Sequence, residues 1–368
     1  MYLNRIQRVV HAIRQADFQN VLVSDPASIS YLIGYQVDPG ERLLLLNVRS
    51  NGTLSLYLNR LFPVFKTEFN ELLDSIEVVT YGDGEPIIQV IAKQLAKGVV
   101  GIDKTWPSHF LLSLMEQLPS LQVKNGSNLI DDLRAVKSIE EQAIMKEASR
   151  LNDLAMTQLI DKISLNLSEK EMVHQLAQLY TDLGCNGFSF EPIVAYGPNG
   201  ADPHHVTSND RPNKGDTIVL DIGSRWNEYC SDMTRTVFYG EPDQLSLDLY
   251  QLVLKANQAA ITTVKPGVTF AEIDLAARQI IEKAGYGEFF THRTGHFIGR
   301  EVHEAGDVSQ FNHDKAKIGQ IFSIEPGIYL PGKLGIRIED LVLVTEDGCQ
   351  ILNHVSKEPF IIEPLSVE

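Results

Sequence analysis

The chain has 368 residues, enough for two domains, and its 43% hydrophobic content is that of an ordinary globular protein. Acidic residues outnumber basic ones by 48 to 32. The net charge of -16 argues against a nucleic-acid partner, because phosphate binding needs an excess of Lys and Arg. No uncharged apolar run approaches the roughly 18 residues of a transmembrane helix, and three dispersed cysteines fit a reducing compartment. We therefore expect a cytoplasmic protein that binds neither nucleic acid nor membrane.

The first third of the chain alternates helical and strand patterns. An amphipathic helix opens it, and short apolar runs bounded by turn residues then predict strands. The predicted strands are 20–23, 43–48, 54–58, 76–80 and 99–102. Two helical segments lie between them, 85–97 and 107–117. Strands alternating with helices imply an α/β domain, which we predict to cover residues 1–130.

Beyond a predicted linker at 131–137 the pattern changes to long helices. Three capping boxes, in which Ser or Thr precedes Glu by three positions, mark helix starts at Ser138, Ser168 and Thr269. A fourth helical pattern covers 243–264. Strand patterns follow the helices at 188–196, 217–222, 233–239, 321–325 and 334–344. Residues 131–368 therefore predict an α+β domain in which a helix–helix–strand order occurs twice in tandem.

Two aspartates lie on either side of a predicted hairpin. Asp221 belongs to one apolar strand, and a second strand carries Asp232 eleven residues later, after a polar turn. Two buried carboxylates close together cannot both stay ionised unless a cation or a shared proton compensates them. The alternative is that each aspartate caps a strand end. The pair alone leaves both interpretations open.

A histidine cluster and two glutamates favour the metal interpretation. Glycines flank His296, and His303 follows seven residues later. A lone histidine is more often structural, but a cluster punctuated by glycine favours a ligand. Glu325 and Glu339 sit in apolar strands, where a carboxylate is costly unless it is paired or metal-bound. Four carboxylates and one imidazole predict two divalent metal ions, with Mn²⁺ ranked ahead of Co²⁺ and Zn²⁺.

Four stretches between residues 130 and 350 resemble the pita-bread metallopeptidases, which include prolidase, aminopeptidase P, methionine aminopeptidase and metal-free creatinase. The stretches read LDIG…SDMTRT, RTGHFIGREVHE, IEPGIY and GIRIED. The resemblance implies a pita-bread catalytic domain with a pseudo-twofold repeat. It assigns the metal-ligand positions to Asp221, Asp232, His296, Glu325 and Glu339. Because all five are present, a creatinase-like enzyme or a non-catalytic binding module is the less favoured alternative.

The resemblance also implies roles for other residues. His204 and His303 would donate hydrogen bonds to the scissile carbonyl and its tetrahedral intermediate, and Glu325 would act as general base toward a metal-bridged water. Two more residues are implied to support the ligands or line the pocket, Arg337 and Tyr329. His205 is expected to point away from the site if its segment is extended, because side chains then alternate faces.

Two residues depart from the sequence GHGIGLEVHE that is common among relatives. Phe297 replaces a glycine and Arg300 replaces an apolar residue. Both residues could face outward. Our hypothesis is instead that Phe297 narrows the pocket and that Arg300 pairs with a substrate carboxylate, as a dipeptide substrate would require.

The N-terminal third resembles prolidase and aminopeptidase P at residues 23–35, which sets methionine aminopeptidases aside. Residues 38–42 resemble a loop with which a partner subunit covers the active site in some bacterial Xaa-Pro dipeptidases, so the resemblance implies a homodimer. The predicted function is hydrolysis of the bond before proline in short peptides, foremost Xaa-Pro dipeptides. The alternative is an aminopeptidase P that releases the first residue of longer Xaa-Pro peptides.

Overall fold

The computed structural model describes residues 2–62, 75–95 and 98–364. The chain divides into two compact units, Met1–Arg134 and Ala135–Glu368. The segment expected to be a linker is helical up to Ala135, since it continues the helix Asn128–Ala135. Among the described residues, no helix is both long and apolar enough to span a membrane.

The N-terminal unit is a six-stranded sheet with helices. Its strands are β1 Asn20–Val23, β2 Leu45–Arg49, β3 Leu54–Asn59, β4 Ile76–Tyr81, β5 Val99–Ile102 and β6 Gln122–Asn125. Its helices are α1 Tyr2–Gln15, α2 Pro26–Ile33, α3 Ile87–Gln94, α4 Ser108–Gln117 and α5 Asn128–Ala135. The strand order is β4-β3-β2-β1-β5-β6, and only β2 runs antiparallel to its neighbours. The expected α/β domain is therefore confirmed.

Three elements of this unit, α2, β6 and α5, do not figure in the sequence-based prediction. The first turn of α2 follows from local chemistry, because the Asp25 side chain accepts hydrogen bonds from the backbone N–H groups of Ala27 and Ser28. Pro26 supplies the first helical residue, a position that needs no N–H donor. The predicted helix 85–97 is realised as α3, and residues 96–97 lie outside the described residues.

The C-terminal unit contains two helix pairs. They are α6 Ile139–Lys162 with α7 Glu169–Asp182, and α8 Gln244–Thr263 with α9 Phe270–Lys283. All three predicted capping boxes form, with reciprocal bonds between the cap residue and the glutamate three positions later. The first pair packs on one apolar core with its strands, and the second pair on another. The expected tandem helix–helix–strand order is thus what the chain adopts.

The described part of this unit also contains two sheets and two short ribbons. Their strands are β7 Ile193–Tyr196, β8 Thr217–Ile222, β9 Arg225–Trp226, β10 Tyr229–Cys230, β11 Met233–Tyr239, β12 Gly295–Phe297, β13 Glu304–Val308, β14 Ile321–Ile324, β15 Gly327–Leu330, β16 Leu334–Arg337, β17 Asp340–Val344, β18 Cys349–Ile351 and β19 Ile361–Ile362. The four-stranded sheet has the order β19-β11-β8-β7, and the five-stranded sheet has the order β13-β12-β14-β17-β18. The two short ribbons pair β9 with β10 and β15 with β16.

Two strand predictions were wrong in extent. The segment predicted at 188–196 forms a strand only from Ile193. The segment predicted at 334–344 breaks after Arg337, so that β16 pairs with β15 while β17 pairs with β14. At the break the Glu339 N–H donates to the Thr234 carbonyl and the Glu339 carbonyl accepts from Arg235. The break is stable because β11 supplies the partners that a continuous strand would have offered.

Candidate active site

The two aspartates of the predicted hairpin lie at its closed end. Asp221 sits in β8 and is paired with Thr234 of β11, while Asp232 directly precedes β11. Between them the β9–β10 ribbon turns at Asn227 and Glu228, both in the left-handed region with φ of 45° and 71°. Such a two-residue turn suits the twist of an antiparallel ribbon. Both aspartates are buried.

His296 lies in β12 with its ring fixed in one orientation. Its Nδ1 is 3.2 Å from the carbonyl oxygen of Phe297. Because a carbonyl only accepts, Nδ1 carries the proton and Nε2 is left with its lone pair. Nε2 faces carboxylate oxygens of Asp232 at 3.5 Å and Glu325 at 3.4 Å, beyond a good hydrogen bond. This is the tautomer that a metal-ligating histidine adopts.

Glu339, at the break between β16 and β17, also lies close to His296 and Asp232. Ligand atoms of Asp232, His296 and Glu339 lie within 4.8 Å of one another, and all three residues are buried. Oδ1 of Asp221, Oδ1 of Asp232 and Oε1 of Glu339 are buried without a hydrogen-bond partner among the described residues. Unpaired buried carboxylate oxygens beside an imidazole lone pair are a donor set that fits divalent cations.

The pKa shifts in this cluster reflect crowded negative charge. Burial, reinforced by the charges of Asp221 and Glu325, raises the pKa of Asp232 well above its usual range. Burial and the same neighbours together with Asp232 do so for Glu339. Burial opposes ionisation of Glu325 as well, but its pKa is lowered by His296, His292 and Arg337. Glu325 therefore ionises more readily than Asp232 or Glu339.

A chain of hydrogen bonds leads from His292 to Asp221. The Nδ1 atom of His292 is 2.7 Å from the carbonyl oxygen of Arg293, so Nδ1 carries the proton and Nε2 accepts from the Tyr329 hydroxyl. The Tyr329 oxygen in turn accepts from Arg337 at 2.8 Å. Arg337 also donates to Oδ2 of Asp221 at 2.6 Å. The two residues expected to support the ligands thus form one connected network with His292.

The candidate ligands open into a cavity of about 470 Å³, within the range of small-molecule sites. All five of them line it, together with His204, His303 and Arg337. Residues 203–207 form one wall, and residues 190–193 line it as well. Burial lowers the pKa of His303 to about 4, with smaller contributions from neighbouring His296 and Arg293, so its imidazole is neutral at neutral pH.

Neither residue that departs from the common sequence is among the cavity-lining residues. Phe297 packs edge-on against Phe270 and also contacts Phe322 in the apolar core. Its side chain faces the core because His296, its neighbour in β12, faces the cavity. Arg300 is buried and its Nη2 lies 3.3 Å from Oε2 of Glu228. The hypothesis that these two residues shape the pocket does not match their placement.

The sequence reasoning gave no role to several other cavity residues. Arg293 and His292 line the cavity, as do Phe190 and Val302. The signal for the first two was present, since they belong to the same glycine-punctuated segment as His296. Phe190 and Val302 carried no such signal, because an apolar side chain in a pocket resembles one in a core.

A buried acidic cluster that fits metal ions, beneath a cavity of this size, is an arrangement typical of metal-dependent hydrolases. Residues 143–346, more than half of the chain, match Metallopeptidase family M24, and residues 5–136 match the Creatinase/Prolidase N-terminal domain. The chain belongs to metallopeptidase family M24. The family implies a divalent metal, although not which one.

Similar proteins cover essentially the whole chain. An uncharacterized peptidase of Staphylococcus aureus is 32% identical over 362 residues, which span 96% of this chain and 100% of the relative. The prolidase structure from Thermococcus sibiricus is 34% identical with a TM-score of 0.92, covering 98% of this chain and 99% of that chain. The X-Pro aminopeptidase structure from Thermotoga maritima is 30% identical with a TM-score of 0.81, covering 96% and 100%. The predicted two-domain fold is confirmed.

Proposed function

We propose that this protein hydrolyses the peptide bond preceding proline, and that its principal substrates are Xaa-Pro dipeptides. The observation that carries the proposal is the buried cluster of unpaired carboxylate oxygens opening into a cavity of about 470 Å³. A cavity of this size suits a short peptide better than a folded chain. Among the similar structures, one is a prolidase and another an X-Pro aminopeptidase, which supports proline specificity without separating the two activities.

Asp221, Asp232, His296, Glu325 and Glu339 would hold two divalent ions. Carboxylates dominate this set, so Mn²⁺ is our first choice, with Co²⁺ or Zn²⁺ as alternatives. When bound, such ions lower the pKa of water, polarise a carbonyl and stabilise developing negative charge. Without metal, burial and neighbouring negative charge raise the pKa values of Asp232 and Glu339. Bound cations would neutralise that negative charge, which supports the proposed metal site.

The protein's own side chains would carry the proton transfers and hydrogen bonds. Glu325, whose pKa is lowered, would accept a proton from the attacking water and return it to the leaving proline nitrogen. His303, neutral at neutral pH, can donate one ring N–H to the oxygen of the tetrahedral intermediate. His204 would donate a second hydrogen bond from the loop wall of the cavity.

A dipeptide substrate presents a free carboxylate close to the scissile bond. Arg293 lines the cavity, and its guanidinium forms no ion pair with any residue in the described part of the chain. Arg300 is instead held by Glu228. We therefore transfer the proposed role of substrate-carboxylate partner from Arg300 to Arg293.

Two expectations from the sequence remain part of the proposal. Residues 38–42 would reach the active site of a second copy, so the working assembly would be a homodimer, and the protein would act in the cytoplasm. Mass measurement in solution by light scattering tests the first expectation. A monomer with full activity would contradict a shared site.

The decisive experiment measures metal content and substrate length together. We expect purified protein to hold Mn, Co or Zn in stoichiometric amount, whereas a creatinase-like or non-catalytic relative would not. Leu-Pro and Leu-Pro-Ala-Ala are then compared by kcat/KM, with Asp232→Asn as the inactive control. Preference for the dipeptide supports the proposal, and comparable cleavage of the tetrapeptide would assign an aminopeptidase P instead.

A further inference from the structure

His204 is carried by a loop, residues 197–210, that forms one wall of the cavity through residues 203–207. The imidazole of His204 is exposed and makes no hydrogen bond to any described residue. Its position therefore depends on the backbone of the loop rather than on contacts of its own. Near the start of the loop the Gly200 carbonyl approaches Gly335 so closely that a Cβ on Gly335 would lie 1.7 Å from it.

Glu169, at the start of α7, binds this loop from behind. Its side chain is fully buried, and its Oε1 accepts from the backbone N–H of Tyr196 at 3.0 Å and from Asn199 Nδ2 at 2.9 Å. Its Oε2 accepts from His205 Nε2 at 2.8 Å and from the Ser208 N–H at 2.6 Å. One carboxylate thus joins residues on both sides of His204, including its immediate neighbour.

The first turn of α7 closes the loop further. The N–H groups of Glu169 and Lys170 donate to the carbonyls of Asp210 and Ser208, both at 3.1 Å. Asn199 Nδ2 also donates to Oδ2 of Asp210 at 2.9 Å, which joins the two ends of the loop. The otherwise unpaired amides of the helix terminus are therefore satisfied by the loop itself.

The helix does not require the Glu169 carboxylate for its own start. Ser168 and Glu171 already form the capping box of α7. A buried carboxylate is costly unless fully hydrogen-bonded, and here the four donors outweigh burial, so the pKa of Glu169 is lowered. All four hydrogen bonds of the carboxylate go to Tyr196 at the end of β7 or to the loop, and none goes to α7.

We propose that Glu169 is a positioning residue that holds the 197–210 loop so that His204 faces the reacting carbonyl. Glutamine cannot replace it. Its oxygen can accept from Tyr196 and Asn199, but its NH₂ group then confronts the N–H of Ser208, and two donors cannot bond to each other. Glu169→Gln therefore loses the side-chain hydrogen bond from the Ser208 N–H, so the segment beside His204 is then held chiefly by the backbone bonds from α7 to Ser208 and Asp210.

The catalytic part of this inference rests on the proposed function of His204, so a double-mutant cycle is the first test. In the wild-type background, Glu169→Gln should lower kcat/KM for Leu-Pro by about 10-fold to 100-fold, mainly through kcat. In the His204→Ala background the same change should cost less than about threefold, because the side chain being positioned is gone. Glu171→Gln, a matched substitution in the same helical turn, should stay within about twofold of wild type.

An equal loss in both backgrounds would overturn the proposal, since Glu169 would then act on general stability. Asn199→Ala, which removes the hydrogen bonds from Asn199 to Glu169 and Asp210, provides a second variant should Glu169→Gln not fold. It should lower kcat/KM by about threefold to tenfold and lose that effect once His204 is alanine. Equal effects of Asn199→Ala in the two backgrounds would also count against the proposal.

Amide hydrogen exchange tests the loop without any substrate. Exchange of the 197–210 segment should be about tenfold faster or more in Glu169→Gln than in Glu171→Gln, while β8 is unchanged. Unchanged exchange in the loop would refute the positioning role. If the wild-type protein cleaved no proline peptide, the proposed function would fail, and this exchange measurement alone would decide on Glu169.

Discussion

Two adjacent residues of the C-terminal unit, Glu339 and Asp340, are both buried but have opposite surroundings. Oε1 of Glu339 has no hydrogen-bond partner in the described part of the chain, and burial with the charge of Asp232 raises the pKa of Glu339. Asp340 bonds to Arg235 at 2.8 Å and to Lys357 at 2.6 Å. Burial opposes its ionisation, but those two cations lower its pKa.

The contrast separates a carboxylate that supports the fold from one that is reserved for a ligand. A buried charge with full compensation is neutral or favourable to stability, whereas an uncompensated one is costly. Because the chain breaks between β16 and β17 at this point, consecutive side chains enter two different environments. The acidic cluster around Glu339 is therefore unfavourable when no cation is bound, as expected of a set of metal ligands.

The largest effect should come from removing a member of the acidic cluster. Asp232→Asn and Glu339→Gln should each lower kcat/KM for Leu-Pro by at least about 10³-fold, because each deletes a proposed ligand. The metal-free variants should be at least as stable as the metal-free wild type, since repulsion is relieved. Steady-state kinetics and thermal unfolding in EDTA check both parts. A large loss of stability in EDTA would mean that these residues are structural.

Asp340→Asn should show the reverse behaviour. It removes the counter-charge of Arg235, whose side chain is only 1% exposed, and we expect the free energy of unfolding to fall by about 3–5 kcal/mol. The folded fraction should still bind metal in stoichiometric amount. Urea unfolding and metal analysis of the same sample measure the two effects. A change below about 1 kcal/mol would show that the ionic network contributes little.

The comparison also predicts how pH and metal act together. The pKa values of Asp232 and Glu339 are raised in the metal-free folded protein, so the folded state holds their protons more tightly than the unfolded state does. This preference stabilises the metal-free fold at low pH and is lost as pH rises through the folded-state pKa. Ions bind only the deprotonated carboxylates, so the stabilisation by Mn²⁺ should grow with pH. Tm measured between about pH 5 and pH 8, with Mn²⁺ or with EDTA, tests this. The same increment at every pH would contradict it.

Much of the fold was predictable because its signals are local. The capping boxes at Ser138, Ser168 and Thr269 each mark a real helix start, and short apolar runs placed β1, β5, β8 and β11 within a residue. The break after Arg337 was not predictable, because no proline or glycine interrupts the chain between Ile336 and Val344. It depends on partners supplied by Thr234 and Arg235, a hundred residues earlier in the chain.

The site was predictable to the extent that its chemistry is unusual for its surroundings. Acidic residues in apolar strands singled out Glu325 and Glu339, and the structure brings both beside His296. The sequence could not predict where the side chains of Arg293 and Arg300 point, because that depends on tertiary contacts. Arg300 is bound by Glu228, which lies in the turn between β9 and β10. No pattern in the segment itself indicates that contact.

The smallest effect concerns these two arginines and sharpens the distinction between a paired and an unpaired charge. Arg293→Leu should raise KM for Leu-Pro by about tenfold or more and should affect Leu-Pro-Ala-Ala much less, because only the dipeptide places its carboxylate beside the scissile bond. Arg300→Leu, the matched control, should affect both substrates equally, since its guanidinium is bound to Glu228. Steady-state kinetics on the two peptides give the comparison. Equal effects of Arg293→Leu on both peptides would remove Arg293 from the substrate site, and a selective effect of Arg300→Leu would restore the original hypothesis.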